Sequence, residues 1–447
     1  MGGTDDAIVL EVQRLSTLSD SEREALGARY LQPESIWCAL EHSETEWEGE
    51  CATKLLRASW VLNNVTSASG RFPRRGENPD AYISVSELRS LYADAHDGRD
   101  PSSGIEGAKS EKPLPIISIS HFWRERGNPD PDGETFALVA TALARYWRKM
   151  TSRGLRDFGI FYDFSSLFQE PRDPTQTQMF RFALRSINLW YAHKLTTVWL
   201  VTEGVDRVKG LSYWEKGWTS FEFALANMIK ASNKSFWASW PLLLDLGKDG
   251  DAQLNLKRLP PTEPLAFFEG HEFSSQTYTN GADRDAIVAP KFRETTFELL
   301  AGTSQLDFDR AGWGDDDVVK LGIVLPLCTR ITWLELSFNA CGDNGAVALG
   351  RFLAKNASLI TLNLNDNQIG AAGGAGLAEG LKENATLQNM WLRQSTVGET
   401  GGNALMMALK VNATLTSMDI SSNGIPRNVA ESLRQVTRSK LKFTLWL

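Results

Sequence analysis

Ile331-Thr-Trp-Leu334-Glu-Leu336-Ser-Phe-Asn339 is followed by Leu359-Ile-Thr-Leu362-Asn-Leu364-Asn-Asp-Asn367. Leu387-Gln-Asn-Met390-Trp-Leu392-Arg-Gln-Ser395 and Leu415-Thr-Ser-Met418-Asp-Ile420-Ser-Ser-Asn423 come next, each copy starting 28 residues after the last (331, 359, 387, 415). Alternate apolar positions turn one side of a short strand inward, and the closing Asn can satisfy backbone groups at the turn. Between these strands, stretches such as Ala346-Val-Ala-Leu-Gly-Arg-Phe-Leu-Ala354 carry helical apolar spacing. Working outward, Leu306 and Phe308 fall one period earlier, while Phe443 and Trp446 fall one later as a capping strand. Residues 303–447 are therefore expected to stack about five repeats, with Leu334, Leu362, Met390 and Met418 on short strands of the concave side.

The pattern resembles the L-x-x-L-x-L-x-x-N signature of leucine-rich repeats of the ribonuclease-inhibitor type. That resemblance implies an α/β solenoid built for binding, with a protein partner on its concave face. It also absorbs two weaker motifs. Asn356-Ala-Ser, Asn384-Ala-Thr and Asn412-Ala-Thr read as glycosylation acceptors, yet they recur at the repeat period and mark the helix-to-strand turn. The glycines from Gly370 to Gly376 lie in a repeat, not between a strand and helix of a nucleotide fold, which argues against a phosphate loop.

Upstream, residues 113–302 alternate strand-like and helix-like segments. Pro115–Ser120, Phe158–Tyr162 and Thr196–Val201 read as strands, and a fourth lies within Phe236–Leu246. Helices are expected from Phe136 to Met150, around Phe182 to Trp190, and from Tyr213 to Ile229. The alternation predicts a mainly parallel sheet covered on both faces, with the first strand in the middle. Ligands of such sheets bind at the carboxyl ends of the strands, which puts His121 and Asp163 on one edge. Asp130, Asp132 and Glu134 crowd the start of the first helix and read as self-capping rather than as a phosphate site.

The order Ile-Ser-His121, then Tyr-Asp163-Phe-Ser-Ser-Leu-Phe-Gln169, then Trp218-Thr-Ser-Phe-Glu222 resembles the TIR-like superfamily, both Toll/interleukin-1-receptor and fungal heterokaryon-incompatibility domains. The resemblance covers residues 113–302. It implies a flavodoxin-like parallel sheet, self-association through this domain and, by the Trp-to-Glu spacing, Glu222 as the catalytic residue of NAD cleavage. Trp218, Asp163 and His121 are then substrate-binding. His121-Phe-Trp-Arg124 departs from the loop usual in plant members.

Independently of the family, Trp218 and Glu222 are four apart and share one face of a helix. Breaking a nicotinamide–ribose bond passes through an oxocarbenium-like state that a carboxylate can stabilise. The competing structural reading makes Glu222 a solvated or salt-bridged helix residue, Asp163 a strand-end cap and His121 a packed strand-end histidine. NAD enters only as a substrate; no cofactor or metal is implied.

Residues 1–94 read as mostly helical, with a helix start at Ser19-Asp-Ser-Glu and helical spacing from Ala52 to Leu62; residues 95–112 are turn-rich and read as a linker. Arg71, Arg74 and Arg75 form a small basic patch. With 447 residues, 42 % hydrophobic and 23 % charged, the chain is expected to form two or three globular domains. A net charge of -8 argues against nucleic acid and membrane surfaces as partners. No apolar run is long enough for a bilayer, the first residues lack a signal-peptide order, and Asp6 breaks the myristoylation pattern. Four scattered cysteines fit neither a metal site nor a disulfide framework and point to the cytoplasm. Together these features suggest an intracellular sensor with a binding solenoid and a TIR-like effector. The alternative is a non-catalytic protein-interaction scaffold.

Overall fold

The computed structural model describes the chain apart from residues 1–2, 42–46, 48–49, 66–69, 96–111, 153, 232–241, 249–257, 265–266, 268–274, 279, 439 and 441–442. The linker expected over 95–112 and the first part of the expected fourth-strand segment lie largely outside the described residues. Two six-stranded sheets organise the rest. The first contains β1 (Leu55–Arg57), β2 (Tyr82–Ile83), β3 (Ile116–His121), β4 (Gly159–Phe161), β5 (Thr197–Val201) and β6 (Leu243–Asp245), in the order β2-β1-β4-β3-β5-β6. β3 lies between β4 and β5 and is parallel to both, and β5 is parallel to β6.

All six residues of β3 are buried although the sequence alternates Ile with Ser. Each serine has a partner far along the chain: the Ser118 hydroxyl donates to the Trp190 carbonyl at 2.8 Å, and the Ser120 hydroxyl to Glu222 at 2.6 Å. A buried strand can carry hydroxyls when each has a partner. Helix Gly217–Asn227 packs against helix Ile187–Ala192 and β3. Helix Glu134–Thr151 buries Phe136, Val139, Leu143 and Met150. Its start is capped by Asp130, whose two carboxylate oxygens accept from the Thr135 and Phe136 amides at 2.9 and 2.8 Å. Asp132 and Glu134 instead pair with Arg207 and Arg124.

The helical expectation for residues 1–94 needs one correction. Helices Asp20–Leu31, Pro33–Glu41 and Val85–Asp94 are present, and Ser19 closes the expected capping box. Leu55–Arg57, however, leaves the predicted helix to pair antiparallel with β4, and Tyr82–Ile83 extends it. These strands have three and two residues, too short to impose a period of two on the sequence.

The second sheet holds β7 (Gln305–Asp307), β8 (Trp333–Glu335), β9 (Thr361–Asn363), β10 (Asn389–Trp391), β11 (Ser417–Asp419) and β12 (Thr444–Trp446), all parallel and in chain order. Leu334, Leu362, Met390 and Met418 stand in register and are fully buried. Asn367 shows why the signature ends in Asn. Its amide donates to the Leu336, Leu364 and Asn365 carbonyls at 2.9, 3.1 and 3.2 Å, and its oxygen accepts from the Cys341 amide. Asn339 and Asn423 make the corresponding bonds. A second asparagine ladder, Asn356, Asn384 and Asn412, holds the helix-to-strand turns, with Asn384 and Asn412 buried. At Asn384 and Asn412 those bonds occupy the amide nitrogens that a glycan would need. The glycine-rich stretch lies in helix Ala371–Glu383, where a Cβ on Gly350 would come 2.1 Å from the Gly376 carbonyl of the next repeat. Each repeat also holds one non-glycine residue in the left-handed region: Arg310, Phe338, Asp366, Gln394 and Ser422, with φ from 53 to 57°.

The repeats join the first unit through packed backbone. Helix Asp20–Leu31 meets helix Ala289–Gly302 where a Cβ on Gly27 would fall 2.5 Å from the Gly302 Cα. The buried Trp313 indole donates to the Arg258 carbonyl at 2.8 Å, and Arg330 pairs with Glu24 at 3.0 Å.

Candidate functional site

β3 and β4 end side by side, and the residues just past their carboxyl ends define one edge of the first sheet. The order of the chain reverses here, since β4 adds to one side of β3 and β5 to the other. Crevices form at such points. His121 and Asp163 are brought together: His121 Nε2 lies 3.5 Å from an Asp163 carboxylate oxygen, and the imidazole stacks on Tyr162 at 4.2 Å. Burial holds the imidazole pKa below its usual value, against the opposing field of Asp163, so the ring is neutral. Its Nε2 makes no hydrogen bond. Asp163 accepts from the Trp123 indole at 2.9 Å and from the Phe164 amide at 2.6 Å, opening the short helix Asp163–Ser166 as an end cap would. Gln169 donates to the Asp163 carbonyl at 3.1 Å.

Glu222 sits on helix Gly217–Asn227 with its carboxyl turned toward β3. Ser120 donates to it at 2.6 Å, and the Tyr191 hydroxyl approaches the same group. Ser120 is in turn 2.6 Å from the Tyr213 hydroxyl. Burial raises the carboxyl well above the ordinary range; Asp163 raises it further, while the Ser120 and Tyr191 hydrogen bonds oppose. Among the described residues no Lys or Arg pairs with it. Burial without a cation thus favours the protonated acid. Trp218, half-buried, donates its indole N–H to Asp283 at 3.2 Å and meets Phe221 edge-on.

A cavity of about 90 Å³ opens beside this edge, walled by Phe72, Phe164, Arg71, Arg74, Asn128 and Asp130 among others. Phe72 stacks on Tyr162 at 3.9 Å, so an aromatic column runs from the cavity wall to His121. Glu222 lies inward of that cavity and is not among its walls. The basic patch is divided: Arg71 is exposed at the cavity, Arg74 donates to the Gln169 and Glu170 carbonyls, and Arg75 is buried against Phe168 and Glu50. Phe72, the two hydroxyl partners of Glu222 (Ser120 and Tyr191) and the Tyr213 hydroxyl beside Ser120 escaped sequence reading. Only the serines at alternate positions of β3 hinted at them.

A second surface lies on the concave side of the repeats. Trp333 and Trp391 sit two repeats apart, yet their rings meet at 5.5 Å and 75° across β9. Small Thr361 and Asn363 are buried between them. Glu335, beside Trp333 on β8, is buried and accepts from Asn363 at 2.8 Å and from the Ser337 amide at 2.9 Å. Burial pushes its carboxyl up to about 7. These residues occupy the variable positions of the repeat, which periodicity alone leaves unread.

The Leucine Rich repeat family matches residues 355–378. The chain is also similar to a solved structure of the leiomodin-1 Actin-Binding Site 2 (ABS2), at 18% identity over 30% of this chain and 79% of that one, with a TM-score of 0.27. No curated protein matches the chain. The Leucine Rich repeat match suggests protein–protein interaction by the C-terminal repeats. Among the described residues, no helix is long and apolar enough to cross a membrane.

Proposed function

We propose that this chain is a sensor or signalling protein whose repeats recognise a protein partner and whose first sheet is a flavodoxin-like, TIR-like effector that hydrolyses NAD. The paired indoles of Trp333 and Trp391 on the concave face carry the recognition half, because partly exposed aromatics over a rigid strand ladder are what protein interfaces use as anchors. The four free cysteines fit action in the cytoplasm.

The effector half is supported by a buried acid without a cation at the carboxyl edge of a parallel sheet. Such an acid gives up its proton when positive charge arrives, and the nicotinamide ring of NAD brings one. Cleavage breaks the bond from the ribose carbon to the nicotinamide nitrogen, with the electron pair leaving on nitrogen. Water then adds to that carbon and loses a proton, giving nicotinamide and ADP-ribose. Glu222 is the proposed catalytic residue in this scheme, with His121, Asp163 and Trp218 as substrate contacts. Self-association through the same sheet belongs to the proposal and is checked by sedimentation.

Incubating the full chain with NAD should release nicotinamide, and Glu222→Gln should slow this at least about a hundredfold. Equal turnover in the two proteins removes Glu222 from the chemistry. The scaffold reading is favoured by one observation, the separation of Glu222 from the cavity. Absence of turnover in the wild type would leave it standing.

A further inference from the structure

The two residues flanking the central residue of each repeat strand, buried in β7 to β11 and half-buried in β12, face away from the solenoid core. Across β7 to β12 these twelve positions hold three tryptophans (Trp333, Trp391, Trp446) and three carboxylates (Asp307, Glu335, Asp419). The other six are Gln, Thr, Asn or Ser, and none is Lys or Arg. The cations near this face lie off the strands. Arg310 is tied to Asp309 and stacked on Phe338 at 3.8 Å, and Arg393 is exposed on the turn after β10. Arg258 is a further cation off the strands and acts on Asp307. Indole faces beside the Asp419 carboxylate suit one class of side chain. Guanidinium and ammonium groups bind over indole rings, and guanidinium also meets carboxylates in a two-pronged fit.

Resting on the reading of this face as a protein-docking surface, we propose that its partner is a basic segment whose arginine or lysine side chains lie against Trp333 and Trp391, with Asp419 as counter-charge. Asp419 stands directly beside Trp391 on the adjacent strand. Charge complementarity of this kind selects the partner and speeds its encounter.

The test is to pan a random peptide library over immobilised full-length wild type, Trp391→Ala and Asp419→Asn. A fluorescein-labelled peptide alternating arginine and serine, and its glutamate–serine counterpart, are then titrated in solution. Peptides retained by wild type and lost on Trp391→Ala should be enriched in arginine and lysine. The arginine peptide should bind at least about tenfold more weakly to Asp419→Asn, which preserves side-chain volume and guards against a folding artefact. A double variant on the outer helices, Glu379→Gln with Glu431→Gln, should change affinity by no more than about twofold. Equal loss in the outer-face variant would overturn the proposal, because overall acidity would then explain binding. Trp391-dependent peptides without basic enrichment would overturn the basic partner and keep the docking face. A library yielding no Trp391-dependent peptide would overturn both.

Discussion

The two sheets satisfy buried polar groups in opposite ways. In the repeats each rung is closed by residues a few positions away or one period on, as when Asn367 reaches Leu364, Asn365 and Leu336. In the first sheet the decisive contacts join distant parts of the chain. Ser120 meets Glu222, Arg57 meets Asp157, and Asn188 bonds both Tyr30 and Thr295. A solenoid distributes its stability over many equivalent neighbour contacts. A doubly covered sheet concentrates it in a few irreplaceable ones, and that concentration lets one carboxyl sit buried at its edge, where the protonated form is favoured.

The contrast can be broken most forcefully at a helix contact. Gly350→Leu has no room against the Gly376 backbone, and should cost at least about 4 kcal/mol by overpacking at backbone. Urea unfolding followed by circular dichroism should show an early transition for the repeats, with the first sheet melting later. A single unshifted transition would mean that the close approach is not what fixes the stack.

Acidity tests the comparison at the next scale. Glu222 and Glu335 both titrate above their unfolded values, so each contributes stability while protonated. That contribution is full below about 4.5 and is lost as pH rises through the folded value. For Glu335 the window runs from about 4.5 to about 7. Glu335→Gln should flatten the stability profile there by no more than about 3 kcal/mol, at roughly 1.4 kcal/mol per pH unit. Glu222→Gln should likewise flatten the profile above about 4.5, over the range in which the buried acid titrates. A Glu222→Gln profile parallel to the wild type would show that the first sheet does not bury its acid as the hydrogen bonds indicate.

The smallest effect is a gain. Ser395 occupies the place of the ladder asparagines, and its buried hydroxyl has no partner. Ser395→Asn should restore the missing rung and stabilise by about 1 kcal/mol. No change in the unfolding midpoint would count against the ladder as a source of stability.

These particulars explain what could be read in advance. The repeat strands were legible because four copies hold one register. β3, β4 and β5 were legible as short apolar runs between helical patterns. β1 and β2 were not, because Leu55-Leu-Arg57 and Tyr82-Ile83 lie outside any apolar run of strand length, unlike β4 within Phe158–Tyr162. The edge residues His121, Asp163 and Glu222 could be named from motif order. The hydroxyls around Glu222 could not: Ser120 is 102 positions away, and no local pattern marks a contact of that reach. Phe72 was hidden for the same reason, reaching Tyr162 from the far end of the first unit.

The Trp313 indole bonded to the Arg258 carbonyl has a mechanical meaning. It rivets the first repeat to Arg258, whose side chain bonds Asn227 at the end of the helix that carries Glu222, whereas among the described residues β12 pairs with β11 alone. Under tension between a bound partner and the first sheet, the stack would peel from the β12 end, one 28-residue rung at a time. The solenoid would thus behave as a fuse. Force would be spent on successive neighbour contacts before any of it reached the buried acid.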